Sequence, residues 1–265
     1  MKKTILIAAA AVACACTAKQ PKVLVLYYSQ NGATESVAKE IAASINADIE
    51  AFDVEDPYNG TYDETIQRCI KEREDDILSP VQHLKADISR YDIILLGYPI
   101  WFGEAARPAL SLARDASFTG KKVITFCTFG SGGLESSTSR LRELIPDAEV
   151  IEGYGVRNAR LSKAPAEIEK FLIKAGLKDG EVETYQEFSE TRLVTKNDAA
   201  VFYSACRSYQ MPLGDPISVS ERPVPGGKEY KFAAEGKDMS GKPAGSTIYV
   251  LAIEGETPEF TKVVR

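Results

Sequence analysis

From Pro21 to about Lys178, short unbroken apolar runs alternate with stretches of helical periodicity, and few architectures accommodate that rhythm. Val23 to Tyr28 and Ile93 to Leu96 are continuous apolar runs, the mark of strands covered on both faces. Between them Val37, Ala38, Ile41, Ala42 and Ile45 recur at helical spacing within residues 34–45. A shorter strand is expected near Ile49 to Val54, and a helix from Asp63 to Glu74 with Ile66, Cys69 and Ile70 on its apolar face. Val123 to Cys127 reads as a fourth strand, Ser136 to Leu144 as a helix, and Val150 to Tyr154 as a fifth strand. A last helix carries Ile168, Phe171, Leu172 and Ala175 and stops at Gly176. Pro108 falls early in the segment after the third strand, where the first turn of a helix tolerates it. Five strands, each followed by a helix, imply an α/β domain with a doubly wound, five-stranded parallel sheet and right-handed crossovers.

In such a sheet ligands gather at the carboxyl ends of the strands, so the telling residues should follow Tyr28, Leu96 and Cys127. After the first strand comes Ser29-Gln30-Asn31-Gly32-Ala33-Thr34, running straight into a helix. Ser29 and Thr34 offer hydroxyls, Asn31 and Gly32 permit a tight turn, and a helix start supplies N–H groups and a positive dipole end. No Gly-Lys-Ser/Thr follows, which excludes a Walker loop, and the dinucleotide GxGxxG pattern is missing. With no Lys or Arg inside it, this loop suits a phosphate monoester held by neutral donors. After the third strand comes Gly97-Tyr98-Pro99-Ile100-Trp101-Phe102-Gly103, with the chain's one tryptophan. Adjacent aromatics in a loop at the ligand edge suit stacking on a flat ring. After the fourth strand comes Thr128-Phe129-Gly130-Ser131-Gly132-Gly133, whose glycines let backbone approach a ligand closely. A phosphate cradle, an aromatic wall and a backbone-lined edge are together met by one phosphorylated planar cofactor.

On these residues, 21 to about 178 resemble a flavodoxin-family domain: the three loops match that family's phosphate loop and two isoalloxazine loops in order and spacing. Gly97 to Trp101 and Phe126-Cys127-Thr128 are also similar to a branch of small flavodoxin-like proteins with a Pro57-Tyr58…Tyr62 segment before the second helix. The resemblance implies noncovalent FMN. Ser29, Gln30, Asn31, Gly32, Ala33 and Thr34 would then hold the phosphate. Pro99, Ile100, Trp101, Phe102 and Gly103 would line the ring, with Trp101 stacked. Thr128, Phe129, Gly130, Gly132 and Gly133 would contact the pyrimidine side. Asn31 and Ala33 stand where the family commonly has Thr and Asn, which removes side-chain donors but keeps the backbone cradle. The fifth strand has no long insertion, as in the short-chain form.

Residues 1–16 read as a signal segment: Lys2 and Lys3, then the apolar stretch Ile5 to Val12, then small residues up to Cys14 and Cys16. The run is about half the twenty or so residues needed to span a bilayer. Small residues leading into a cysteine resemble the lipobox of bacterial lipoproteins, with Cys16 the expected acylated residue and Cys14 the alternative. That implies export and a lipid anchor on the periplasmic side of a bacterial membrane. The 32 basic side chains are outnumbered by 38 acidic ones, a net charge of -6, which argues against nucleic acid as a partner. Cys69, Cys127 and Cys206 are too scattered for a disulfide framework and read as small buried hydrophobes. His83, alone, supports neither a metal site nor a triad and reads as a surface residue.

After about Gly180 the pattern changes. A helix over 197–209, spaced through Ala200, Tyr203 or Ser204, and Arg207, precedes short strands at Ile217 to Val219, Glu229 to Ala233, Thr247 to Ile253 and Phe260 to Val264. Residues 190–265 therefore form a small α+β module, with a helix-then-meander order similar to cystatins. The expected function is an FMN electron carrier serving redox proteins or quinones. The alternatives are an FMN-dependent NAD(P)H:quinone-type oxidoreductase and a binding lipoprotein that has lost its flavin.

Overall fold

A computed structural model describes residues 20–209, 211–237 and 242–265, so the signal segment with Cys14 and Cys16 lies outside the described residues. The first half runs β1 (Val23–Tyr27), α1 (Ala33–Ile45), β2 (Asp48–Ala51), α2 (Tyr62–Glu74), β3 (Ile93–Trp101), β4 (Glu104–Ala105) and α3 (Arg107–Asp115). It continues through β5 (Lys122–Phe129), α4 (Leu134–Leu144), β6 (Glu149–Arg157) and α5 (Ala164–Lys174). The parallel sheet has the order β2-β1-β3-β5-β6, with β4 folded back antiparallel on the end of β3. Period-two alternation sorts its side chains onto two apolar faces. Leu24, Leu26, Ile94 and Leu96 join α3 and α4 on one side, while Val25, Leu95, Ile124 and Phe126 pack with α1 and α5 on the other.

β3 and β5 run past their expected ends, and this corrects part of the ligand-loop reading. β3 continues through Gly97, Tyr98, Pro99, Ile100 and Trp101. Gly97 is needed there because the Phe126 ring covers it: a Cβ would stand 2.1 Å from the ring. Pro99 does no harm, for a geometric reason. Gly97 turns its backbone towards β1, whose next residue Tyr28 donates to Gly97 O. Pro99, two residues on, faces the same side, where β1 has ended, so its missing N–H costs no ladder bond. β5 likewise continues through Thr128 and Phe129, both buried, leaving Gly130 to Gly133 as the actual loop. β2 is shorter than expected, and Val54 makes only an isolated bridge to Val81.

The second half comprises β7 (Arg192–Leu193), α6 (Lys196–Cys206), β8 (Asp215–Val224), β9 (Gly227–Lys237), β10 (Pro243–Ile253) and β11 (Glu259–Val264). They form an antiparallel sheet in the order β11-β10-β9-β8-β7. α6 packs Phe202 and Ala205 on Phe232, Ile248, Val250 and Phe260. Ala200, Tyr203, Ser204 and Arg207, the residues whose spacing suggested the helix, are exposed. Asp198 tips the balance, because it is buried as partner of the Thr195 cap and of Arg192, which fixes the rotation of the helix.

Candidate functional site

The carboxyl ends of β1, β3 and β5 bring the three loops to one edge of the parallel sheet. In the first, Gly32 is the N-cap of α1 with φ 85°, a left-handed conformation that favours glycine, and no side chain caps the helix. Gly32 N–H donates to Ser29 Oγ at 3.1 Å and Ala33 N–H to Asn31 Oδ1 at 3.3 Å. These long bonds to neutral oxygens are ones that a charged phosphate oxygen can displace. A Cβ on Gly32 would meet nothing within 4 Å, so the space over the loop is open. Thr34 is only 1% exposed and Thr128 2%, and their hydroxyl oxygens lie 2.8 Å apart. Thr128 therefore sits in β5 behind the first loop, not in a loop at the ring edge. Gln30 accepts from the Tyr28 hydroxyl and donates to Tyr58 O at 2.6 Å.

The aromatic wall has more members than the sequence suggests. Tyr98 leaves it, being wholly buried, with its hydroxyl 3.2 Å from Ser137 Oγ. Trp101 is half-buried, edge-on to Tyr28 at 5.8 Å and to Tyr58 at 5.0 Å between centroids. The Arg68 guanidinium lies over the Tyr58 ring, 4.0 Å from its centre. Phe102 and Gly103 form the two-residue turn between β3 and β4, both with positive φ, 54° and 80°. Such a turn normally takes Asn or Gly. A phenylalanine held there, 43% exposed and with Arg73 5.2 Å from its ring centre, is the strained, solvent-facing aromatic of the site.

The third loop begins α4 at Gly133, φ 109°, again with no side-chain cap. A Cβ on Gly133 would stand 2.7 Å from Ile100 Cγ2, and Ser136 Oγ donates to Gly103 O at 2.7 Å, so second and third loops are laced together. Phe129, expected here, instead fills the core, its ring against Gly155. Gly130 faces open space.

Burial pushes the Tyr28 hydroxyl well above its ordinary range, and burial together with the Glu72 carboxylate does the same for Tyr58, so both rings stay neutral. Burial raises the Cys69 thiol to about 11 and drives Cys127 well above its usual value, which makes both inert as nucleophiles. Cys206, raised by burial to about 11, is half-buried rather than buried. His83 is exposed, and no cluster of metal-ligating side chains occurs among the described residues. Tyr28, Tyr58 and Arg157, whose Nε donates to Gly130 O, are site neighbours outside the three loops, and of these only Tyr58 had a sequence signal as a site residue, the Pro57-Tyr58 segment.

A five-stranded parallel sheet of this order, with three loops meeting beside two glycine-started helices, defines the flavodoxin-like class of α/β folds. The chain belongs to the flavodoxin family, whose model, Flavodoxin, matches residues 22–172. Among solved structures it is similar to a protein of Bacteroides uniformis described as a flavoprotein, with 24% identity, TM-score 0.50, and coverage of 57% of this chain and 99% of that one. A Bacteroides eggerthii protein described likewise has 25% identity and TM-score 0.48, over 57% and 98%. A Lactobacillus acidophilus flavoprotein solved in complex with FMN has 24% identity and TM-score 0.45, over 54% and 97%. No curated protein matches the chain.

Proposed function

We propose that this chain binds FMN noncovalently at the three loops and carries electrons through it, as an exported protein anchored by a lipid on Cys16. Membership of the flavodoxin family supports the cofactor. The observation that carries the reading is a contrast between helix starts. α2 and α6 close theirs with complete capping boxes and α3 and α5 start uncapped with a proline in the first turn, whereas α1 and α4 open at the ligand edge on left-handed glycines with no cap. Uncapped N–H groups at a helix start are an anion's natural partners. The residues fit the group. The first turn of α1, with Ser29 and Thr34, holds the phosphate; Trp101 and Phe102 flank the ring; and the backbone of Gly130 to Gly133 meets its polar edge. When bound, the flavin supplies the redox chemistry, and the protein supplies orientation and electrostatics. In this reading the chain's own part is binding and positioning.

The carrier exchanges electrons with redox proteins or membrane quinones, held near them by the anchor. Absorbance of the purified protein tests the cofactor: flavin bands that leave with the supernatant on denaturation are expected, and a chain that neither carries nor takes up FMN refutes the reading. For the anchor, Cys16→Ser is expected to move the protein to the soluble fraction while Cys14→Ser leaves it with the membrane. A lipid mass on Cys14 overturns the choice of residue, and an unmodified N-terminus on a soluble protein overturns anchoring.

A further inference from the structure

The antiparallel module touches the flavodoxin domain at a telling place: its edge strand β11 is seated on the third ligand loop. Val263 N–H donates to Ser131 O at 3.0 Å. Gly132 lies so near that strand that a Cβ there would stand 2.1 Å from Val263 O. Arg157, at the end of β6, closes the junction, donating from Nε to Gly130 O at 2.8 Å and from a terminal nitrogen to Phe260 O of β11, also at 2.8 Å. Its guanidinium lies 4.2 Å from the Phe260 ring centre and 5.5 Å from that of Tyr209. Arg160 repeats the pattern one turn on, pairing with Glu259 of the module at 3.1 Å and Glu167 of α5 at 2.7 Å. Both arginines are 9% exposed. Three consecutive loop residues, Gly130, Ser131 and Gly132, are thus each fixed by the module or by the arginine that binds it.

A glycine-rich loop has more backbone freedom to lose than any other segment, and ordering it on ligand binding weakens affinity. Here that freedom is removed beforehand. We propose that the C-terminal module is a working part of the flavin site: through Arg157 and the edge of β11 it holds the Gly130–Gly133 loop in place and so sets the affinity for the isoalloxazine end of FMN. The proposal rests on the FMN reading above. Arg157 acts as a positioning residue, through Gly130, and Val263 acts through Ser131.

The two ends of the ligand make this testable, because the third loop faces the ring and the first faces the phosphate. In the full chain, Arg157→Met is expected to raise the dissociation constants of FMN and riboflavin together, by about tenfold, or about 1.4 kcal/mol, leaving their ratio unchanged. Val263→Pro removes an N–H that points away from β10, so the sheet keeps its ladder, and it is expected to act in the same direction. Amide exchange at residues 130–133 of the apoprotein should quicken in both variants. If Arg157→Met does not fold, Val263→Pro decides. Folded variants with wild-type constants, or with an altered FMN-to-riboflavin ratio, overturn the proposal while leaving the FMN reading intact. Wild-type protein that binds neither flavin overturns that reading and this inference with it.

Discussion

The hydroxyl pair of Thr34 and Thr128 offers a sharp test of how the phosphate loop is built. Two hydroxyls 2.8 Å apart share one hydrogen bond but bring two protons. If Thr128 donates to Thr34, the Thr34 proton is left for an acceptor beyond the loop, which is what a phosphate requires. Thr34→Val keeps the shape and removes that donor. It also strands the Thr128 hydroxyl in a buried setting, at a cost of about 1–3 kcal/mol to folding. Thr128→Val strands Thr34 in the same way, whereas the double variant strands neither, so a double-mutant cycle by urea unfolding of apoprotein should show coupling of about 1–2 kcal/mol. Towards ligands the two differ. Loss of a hydrogen bond to a charged group is worth about 1.5–3 kcal/mol, so Thr34→Val should weaken FMN by about ten- to a hundredfold and leave riboflavin nearly unchanged. Thr128→Val, which keeps the donor, should weaken FMN much less. Additive unfolding energies refute the buried pair, and equal losses for FMN and riboflavin refute the phosphate role.

Trp101→Ala should weaken FMN binding far more than Trp101→Phe or Trp101→Tyr, since aromatic pairs of the kind it makes with Tyr28 and Tyr58 contribute about 0.5–1.5 kcal/mol each beyond buried area; equal affinities for the Ala and Phe variants in a flavin titration remove it from the ring wall. Gly97→Ala places a methyl 2.1 Å from the Phe126 ring and should destabilise the apoprotein by about 3 kcal/mol, with Phe126→Leu recovering part of it. A wild-type urea midpoint for Gly97→Ala contradicts the packing described. The Asp198 carboxyl is held well below the usual range, first by the Arg192 guanidinium and then by Thr195, against the effect of burial. Its folded value is depressed, so the stability it contributes is present above its unfolded value of about 3.9 and is lost as pH falls through the folded value. Urea midpoints taken from pH 6 downward should fall more steeply below about pH 4 for wild type than for Asp198→Asn, and identical acid slopes would count against the pairing.

The alternation that betrays the parallel sheet is a local signal, repeated every few dozen residues, and was legible for that reason. Helix starts and buried runs follow from periodicity and burial on both faces. What escaped was the reach of β3 and β5. Gly97 and Pro99 are strand breakers in isolation, and only the Phe126 ring above one and the end of β1 beside the other make them strand residues. Thr128 and Phe129 were displaced from the predicted loop by the same lengthening. Phe102 was in the predicted set, but its positive φ depends on the fold-back of β4, two residues long and silent in the sequence. Arg157 and Val263 lie over a hundred residues apart and meet the Gly130 loop only in the folded chain, which no periodicity can announce.

The parallel sheet also has a compass direction. All its long strands run the same way, so the chain enters at Val23 on the end opposite the ligand loops. The nine residues of β3 set those two ends about 30 Å apart. The six residues from Thr17 to Lys22 can reach at most about 20 Å when fully stretched. If the proposed lipid sits on Cys16, a domain standing upright would present its ligand loops outward, like a lamp on a short post. Protein acceptors approaching from the aqueous side would meet the flavin directly. A quinone confined to the bilayer would meet it only when the domain lies down, and lengthening the tether should speed the second exchange and not the first.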